Sequence, residues 1–258
     1  MLIAQISDTH VHGPRADGWQ AGQTDTPARL RLCVATLNAL TPRPDIVLMT
    51  GDLVHGGAAE DYKLLAGLLE PLEIPFYLVP GNHDRRANLL AAFGGRNCPA
   101  PAGGFIQYVL EDYPVRLIAL DTLEEGREGG RLCETRLNWL RNILTELSER
   151  PTVVFMHHPP IRSGLAGFDK SPFLGAEGLA QVLRESGRVE RILCGHLHRS
   201  AQAQLAGTMI TTAPSTAFQV ALDLTADAPL RVVRGPAAFQ LHLWAADSGL
   251  VSHTGYME

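Results

Sequence analysis

Leu2-Ile3-Ala4-Gln5-Ile6-Ser7-Asp8-Thr9-His10 runs a strand-type segment straight into an aspartate and a histidine. Other short apolar runs end the same way. Ile46 to Met49 leads to Asp52, and Phe76 to Val79 leads to Asn82 and His83. Val153 to Met156 leads to His157 and His158, and Ile192 to Cys194 leads to His196 and His198. Runs of this length, rich in β-branched residues and bounded by Gly and Pro, read as buried strands. In open α/β sheets the carboxyl ends of parallel strands form one rim, so these polar side chains are expected to converge on one crevice.

Between the strands, Pro27 to Leu40, Ala58 to Leu69, Glu134 to Leu147 and Ala176 to Ser186 have helical spacing and enough length for crossover connections. A second group of runs lacks helical spacers: Phe105 to Leu110, Val115 to Leu120, Thr208 to Thr212, Phe218 to Leu222, Leu230 to Val233 and Phe239 to Trp244. Short turns between several of them predict antiparallel pairing. The expectation is an α/β fold of two facing sheets with helices outside. No Pro/Gly/Ser-rich linker divides the 258 residues, so residues 1–258 are read as a single domain. Val11 to Asp25, Thr122 to Arg131 and Pro159 to Leu174 read as long loops, the usual place for functional residues.

Composition narrows the class. A hydrophobic fraction of 45% and a charged fraction of 19% describe an ordinary globular chain. The net charge is −5 and the arginines are scattered, so no basic track predicts long nucleic-acid contact. No apolar run is long enough to span a membrane, and the chain opens on a strand with no cleavable leader, which predicts a cytoplasmic protein. Cys33, Cys98, Cys133 and Cys194 form no CxxC pair and predict neither disulfides nor structural zinc. Cys194 reads as a small buried hydrophobe, not a metal thiolate.

Taken singly, each polar residue has a structural reading. Asp8, Asp52 and Asn82 suit turns, Gly51, Gly81 and Gly195 suit the same turns, and His10, His157, His196 or His198 alone would pass for a satisfied core or surface group. Turn chemistry does not ask for ligand-type residues at strand end after strand end, and six of the ten histidines fall in these segments. Asp8, His10, Asp52, Asn82, His157, His196 and His198 form a mixed oxygen and nitrogen set suited to borderline ions. One tetrahedral zinc needs three or four ligands, so the surplus implies two metals.

Asp8-Thr9-His10, Gly51-Asp52, Gly81-Asn82-His83-Asp84, His157 and Gly195-His196-Leu197-His198 together resemble the signature of the calcineurin-like metallophosphoesterases. Ile6 to His10 and Met156-His157-His158-Pro159-Pro160 resemble, more narrowly, the class III cyclic-nucleotide and glycerophosphodiester phosphodiesterases. The resemblance implies a four-layer αββα sandwich of two facing mixed sheets. It implies two divalent or mixed-valence ions of the manganese, iron, zinc or cobalt class. One would be held by Asp8, His10, Asp52 and His198, the other by Asp52, Asn82, His157 and His196, with Asp52 as the bridge. The implied reaction is hydrolysis of a small-molecule phosphodiester by a hydroxide bridging the two ions, and self-association is common in such relatives. Pro214 to Gln219 resembles a stretch near the active site of the cyclic-nucleotide enzymes.

His83, beside a ligand but surplus to the seven, is the candidate acid for the leaving alkoxide. Asp84 is expected to cap a helix, with orientation of His83 as the alternative. His158 is expected to pack behind the ligands, His12 and His55 to lie in exposed loops near the rim, with substrate contact as the alternative, and Asp121 to make structural hydrogen bonds. Trp139 and Trp244 suit core positions, Trp19 has a polar-loop setting, and His242 and His253 have no evident partners. The competing functions are a phosphomonoesterase or nuclease with the same dinuclear centre, and a non-catalytic scaffold of the same fold. A nuclease calls for a basic track, and a scaffold would be expected to have lost ligands.

Overall fold

The computed structural model describes residues 1–13, 24–99, 102–146 and 150–257, and in it the strand-type runs build two mixed sheets. In the first, β1 (Leu2–Ile6), β2 (Ile46–Thr50) and β3 (Phe76–Val79) are parallel neighbours. β12 (Ala238–Ala245) and β13 (Gly249–Tyr256) continue it antiparallel from β1, giving the order β13-β12-β1-β2-β3. The second contains β4 (Tyr108–Leu110), β5 (Arg116–Ala119), β6 (Thr152–Phe155), β7 (Val189–Cys194), β8 (Ala201–Leu205) and β9 (Thr208–Thr212) in the order β4-β5-β6-β7-β9-β8. A short ribbon pairs β10 (Gln219–Val220) with β11 (Val232–Val233).

The ligand-bearing strands are therefore not neighbours along one rim. β1, β2 and β3 belong to one sheet, β6 and β7 to the other, and the two stack with their carboxyl ends at the same edge. The expected antiparallel pairing holds for β4 with β5 and for β10 with β11, but it is not the whole pattern. β5 and β9 each take a parallel neighbour, β6 and β7 respectively, because both lie inside a sheet that helices cover.

Period-two burial explains the layers. In β5 and β6, Leu117, Ala119, Val153 and Phe155 join the core shared with the first sheet, while Ile118, Leu120, Val154 and Met156 face away from it. That outer face is covered by Leu137, Leu140 and Leu144 of α4 (Glu134–Thr145) and by Leu179, Val182 and Leu183 of α6 (Ala176–Ser186). Leu30 and Leu37 of α1 (Thr26–Ala39) and Tyr62 and Leu65 of α2 (Ala59–Leu69) belong to the core of the first sheet. Burying each such leucine contributes about 1.5–3 kcal/mol. α1 starts where Asp25 accepts the Ala28 amide at 2.9 Å. Two further helices are α3 (Arg86–Phe93) and the short α5 (Ala166–Asp169), the latter inside a segment expected to be loop.

Cys194 is buried in the α4–α6 core, so it packs as the small hydrophobe expected, and burial pushes its thiol pKa up. Trp139 and Trp244 pack, partly buried, against the two cores. His242, without an evident partner in the sequence, is buried on β12. It bonds Gln5 Oε1 at 3.0 Å and Ser252 Oγ at 2.7 Å, while Gln5 Nε2 donates to the Cys194 carbonyl of the opposite sheet at 2.9 Å. Trp19 lies outside the described residues.

Asp121, at the end of β5, is fully buried and accepts both a two-pronged Arg86 guanidinium (2.7 and 2.9 Å) and the amides of Ile106 and Leu123. This is the structural role expected of it. Asp121→Ala would leave Arg86 and buried Arg136 without their carboxylate, so urea unfolding should show a loss of about 3–5 kcal/mol. Bound-metal content should be unchanged in that variant.

Candidate metal centre

The turns after the strands are built on unusual backbone. Asp8, His10, Asp52, His196 and His198 all have positive φ, at 54°, 42°, 49°, 71° and 51°. Non-glycine residues seldom adopt this conformation, and where they do the surrounding structure must hold them there. Here the hold is visible. Past the end of β1, Asp8 N donates to Gly51 O at 3.0 Å and His10 N to Asp52 O at 2.9 Å, so the two turns run side by side. On the other sheet, Gly195 N donates to His157 O at 2.9 Å. The sheets are then joined directly, because His196 N donates to the Asp8 carboxylate at 3.1–3.2 Å and Thr216 N to Ser7 O at 3.1 Å.

The expected ligands meet at this edge. His10 Nε2 lies 3.2 Å from His198 Nε2 and 3.7 Å from Asp52 Oδ2, and His198 Nε2 lies 3.4 Å from Asp8 Oδ1. His157 Nε2 lies 3.2 Å from Asn82 Oδ1 and 3.4 Å from Asp52 Oδ2. Donor atoms of Asp8, His10 and His198 fall within 4.8 Å of one another, as do those of Asp8, Asp52 and His157, and those of His157, His158 and His196.

The ring orientations fit a metal. His157 Nδ1 bonds the Thr50 carbonyl at 2.7 Å and His198 Nδ1 bonds the Phe218 carbonyl at 2.8 Å. A carbonyl only accepts, so each Nδ1 carries the hydrogen and each Nε2 turns a lone pair inward. Those lone pairs face carboxylate and amide oxygens, which also offer lone pairs, and only a cation reconciles them. A proton is one such cation. Burial lowers the His157 pKa, but Asp52 and Asp8 outweigh it and push it up to about 9; for His198, burial is likewise outweighed by Asp8 and the pKa rises. Burial opposes ionisation of Asp52 too, yet His157 and His83 hold its carboxyl well below the usual range.

Glycine is required beside these groups by space. A Cβ on Gly81 would lie 2.2 Å from Asp52 Oδ1, and one on Gly195 would lie 1.9 Å from Ser7 Oγ. Neither position has positive φ, so the reason is close approach and not a left-handed turn.

His83 is half-buried at the cleft. Its amide donates to Asp52 Oδ1 at 2.9 Å, and its Nδ1 bonds the His55 carbonyl at 2.8 Å. Asp84 does not cap a helix. Its buried carboxylate accepts from the amides of Leu53 and Gly81 at 3.1 and 2.8 Å and from the Tyr62 hydroxyl at 2.9 Å, which ties the Asp52 turn to the Asn82 turn. Burial, reinforced by Asp52, pushes its pKa up to about 6. The N-cap of α3 is Arg85, without a side-chain bond.

His158 packs as expected, edge-on to His157 at 4.6 Å, with Nδ1 bonded to Thr122 Oγ1 at 2.8 Å. His12 and His55 are half-buried, not exposed, and the His55 ring stacks on His83 with centroids 5.0 Å apart. Ser215 Oγ donates to Asp8 O at 2.8 Å, which sets the Pro214 to Gln219 segment against the ligands. A cleft of about 640 Å³ opens over His10, Asp52, Asn82, His83, His196 and His198, walled by Phe168, Phe218, Val220, Leu230 and Val232. Val220, Leu230 and Val232 are the wall residues that sequence reading missed, because plain apolar side chains carry no ligand-type signal.

Gly81→Ala should displace the Asp52 carboxylate and lower the metal retained after dialysis, as read by elemental analysis, with secondary structure intact. Because His157 and His198 must shed protons to present Nε2, Mn²⁺ binding should release protons and tighten as pH rises toward about 9, where the His157 imidazole loses its proton without metal. Titration calorimetry in buffers of different ionisation enthalpy measures that release directly.

A family model described as calcineurin-like phosphoesterase matches residues 1–200. A probable glycerophosphodiester phosphodiesterase of Arcobacter nitrofigilis is 36% identical over 259 residues, covering 100% of this chain and 93% of that one. A probable cyclic nucleotide phosphodiesterase of Rhodopseudomonas palustris is 34% identical over 232 residues, covering 88% and 82%. In fold, the chain is similar to a dimetal phosphatase from Danio rerio, with a TM-score of 0.69 at 15% identity, covering 100% and 99%. With two facing sheets, ligand-type residues gathered at their common edge and a family match over most of the length, this chain belongs to the calcineurin-like phosphoesterase family.

Proposed function

We propose that the chain hydrolyses small phosphodiesters, 3′,5′-cyclic nucleotides or glycerophosphodiesters, at a pair of divalent metal ions. Asp8, His10, Asp52 and His198 hold one ion, and Asp52, Asn82, His157 and His196 hold the other. The observation that carries this reading is the set of inward Nε2 lone pairs on His157 and His198, each fixed by a backbone carbonyl and facing carboxylate oxygen. The mixed donor set suits manganese, iron, zinc or cobalt. When bound, such a pair supplies Lewis acidity and an activated water at neutral pH.

The chain's own residues do the rest. His83 is held by the Asp52 carboxylate at its amide and by the His55 carbonyl at Nδ1, so Nε2 is the atom that delivers a proton to the leaving oxygen. Among the described residues lining the cleft there is no Lys or Arg, and Glu128 adds negative charge. That favours a singly charged diester over a doubly charged monoester and over a long nucleic-acid backbone. The names of the Arcobacter and Rhodopseudomonas relatives support the same substrate class. Because β12 and β13 complete the sheet of β1, residues 1–258 are read as one functional unit, although the family model stops at 200.

The test is hydrolysis by manganese-reconstituted protein of a panel holding a chromogenic diester, its monoester, 3′,5′- and 2′,3′-cyclic nucleotides and glycerophosphodiesters. Diesters should turn over fastest; a clear preference for the monoester would reject the reading. His83→Ala should retain both metals but lose about 10²-fold or more in kcat on substrates with poor leaving groups. Asp52→Ala should lose metal as well as turnover.

A further inference from the structure

Two elements that wall the cleft come from different parts of the chain and touch each other. α5 contributes Gly167 and Phe168, and the β10–β11 ribbon with its connecting loop contributes Val220, Leu230 and Val232. A Cβ placed on Gly167 would lie 2.2 Å from Leu230 Cγ, so the leucine seats directly on the helix backbone. A second contact lies beside it, where a Cβ on Gly164 would stand 3.5 Å from Leu224 Cδ2. Leu230 is 45% exposed, so it is not a core residue. Its packing against Gly167 joins two surface elements that both line the cleft.

Both sides of this contact are braced. Ahead of α5, Ser163 N and Gly164 N donate to the Asp169 carboxylate at 2.8 and 3.0 Å. On the ribbon, Arg199 Nη1 donates to Val220 O at 2.7 Å, and the neighbouring Phe218 carbonyl receives His198 Nδ1. A polymeric substrate needs a groove open at two ends, and here Leu230 and Gly167, both lining the cleft, pack against each other.

We infer that Leu230 is a specificity-determining residue: seated on Gly167, it closes one end of the cleft and restricts the enzyme to diesters whose organic groups fit inside it. This deepens the phosphodiesterase reading and rests on it. The experiment compares manganese-reconstituted wild type and Leu230→Ala on two 4-nitrophenyl phosphodiesters that share a leaving group, one carrying a methyl group and the other a dinucleotide. Wild type should strongly prefer the methyl ester. Leu230→Ala should raise kcat/KM for the dinucleotide ester by about tenfold or more while moving the methyl ester by about twofold or less. Manganese stoichiometry should stay at the wild-type value, and Leu222→Ala, exposed and outside the cleft wall, should change neither substrate.

Wild-type cleavage of neither ester would reject the phosphodiesterase reading itself. Wild-type cleavage of the methyl ester with an unchanged preference in Leu230→Ala, or equal wild-type rates on both esters, would leave that reading intact and overturn the role of Leu230. So would a gain on the dinucleotide ester matched by loss of manganese, because the site itself would then have changed.

Discussion

The Asp8 carboxylate accepts the His196 amide, and through that bond one sheet grips the other at the edge where the candidate ligands emerge. Asp8 and Asp52 are almost wholly buried, and a buried carboxylate is costly unless it is paired and hydrogen-bonded. The fold meets the cost in two ways. Backbone amides and imidazoles are brought to the oxygens, and what remains is a convergence of lone pairs that calls for positive charge. A divalent ion supplies that charge more completely than a proton, because it accepts several ligands at once.

The same demand accounts for the strained turns. Short turns after strands in different sheets must aim side chains at a common point, and the positive φ values of Asp8, His10, Asp52, His196 and His198 are the means. Gly81 and Gly195 leave room for the carboxylate of Asp52 and the hydroxyl of Ser7, and Asp84 holds the Asp52 and Asn82 turns in register from behind. Strain at the site is balanced by rigid packing beneath it, where Leu48, Met49, Val154 and Phe155 are fully buried.

Much of this was legible in the chain. The buried strands announced themselves as unbroken apolar runs, since covered strands need no polar face, and the ligand residues followed each run within a few positions. Edge strands were harder. β8 (Ala201–Leu205) alternates Ala with Gln, and β13 carries Ser, His, Thr and Gly, because one side of each meets solvent and little apolar surface is asked of them. α3 was legible only as a helix start after Asp84, because it buries only Leu89 and Phe93 and starts without a capping side chain. Asp84 misled for a different reason: an acidic residue just before a helix usually caps it, and only the folded chain shows Leu53, Tyr62 and Gly81 converging on it.

The sequence by itself determined which ligand-type residues follow the buried strands and the family they point to, because those follow from residue type and local spacing. Tertiary structure alone decided that the ligand-bearing strands divide between two sheets. It also decided that His55 steadies His83 through its carbonyl and that Leu230 meets Gly167 across a cleft. Such contacts join residues tens of positions apart through backbone atoms or plain apolar surface, and neither leaves a mark in local pattern.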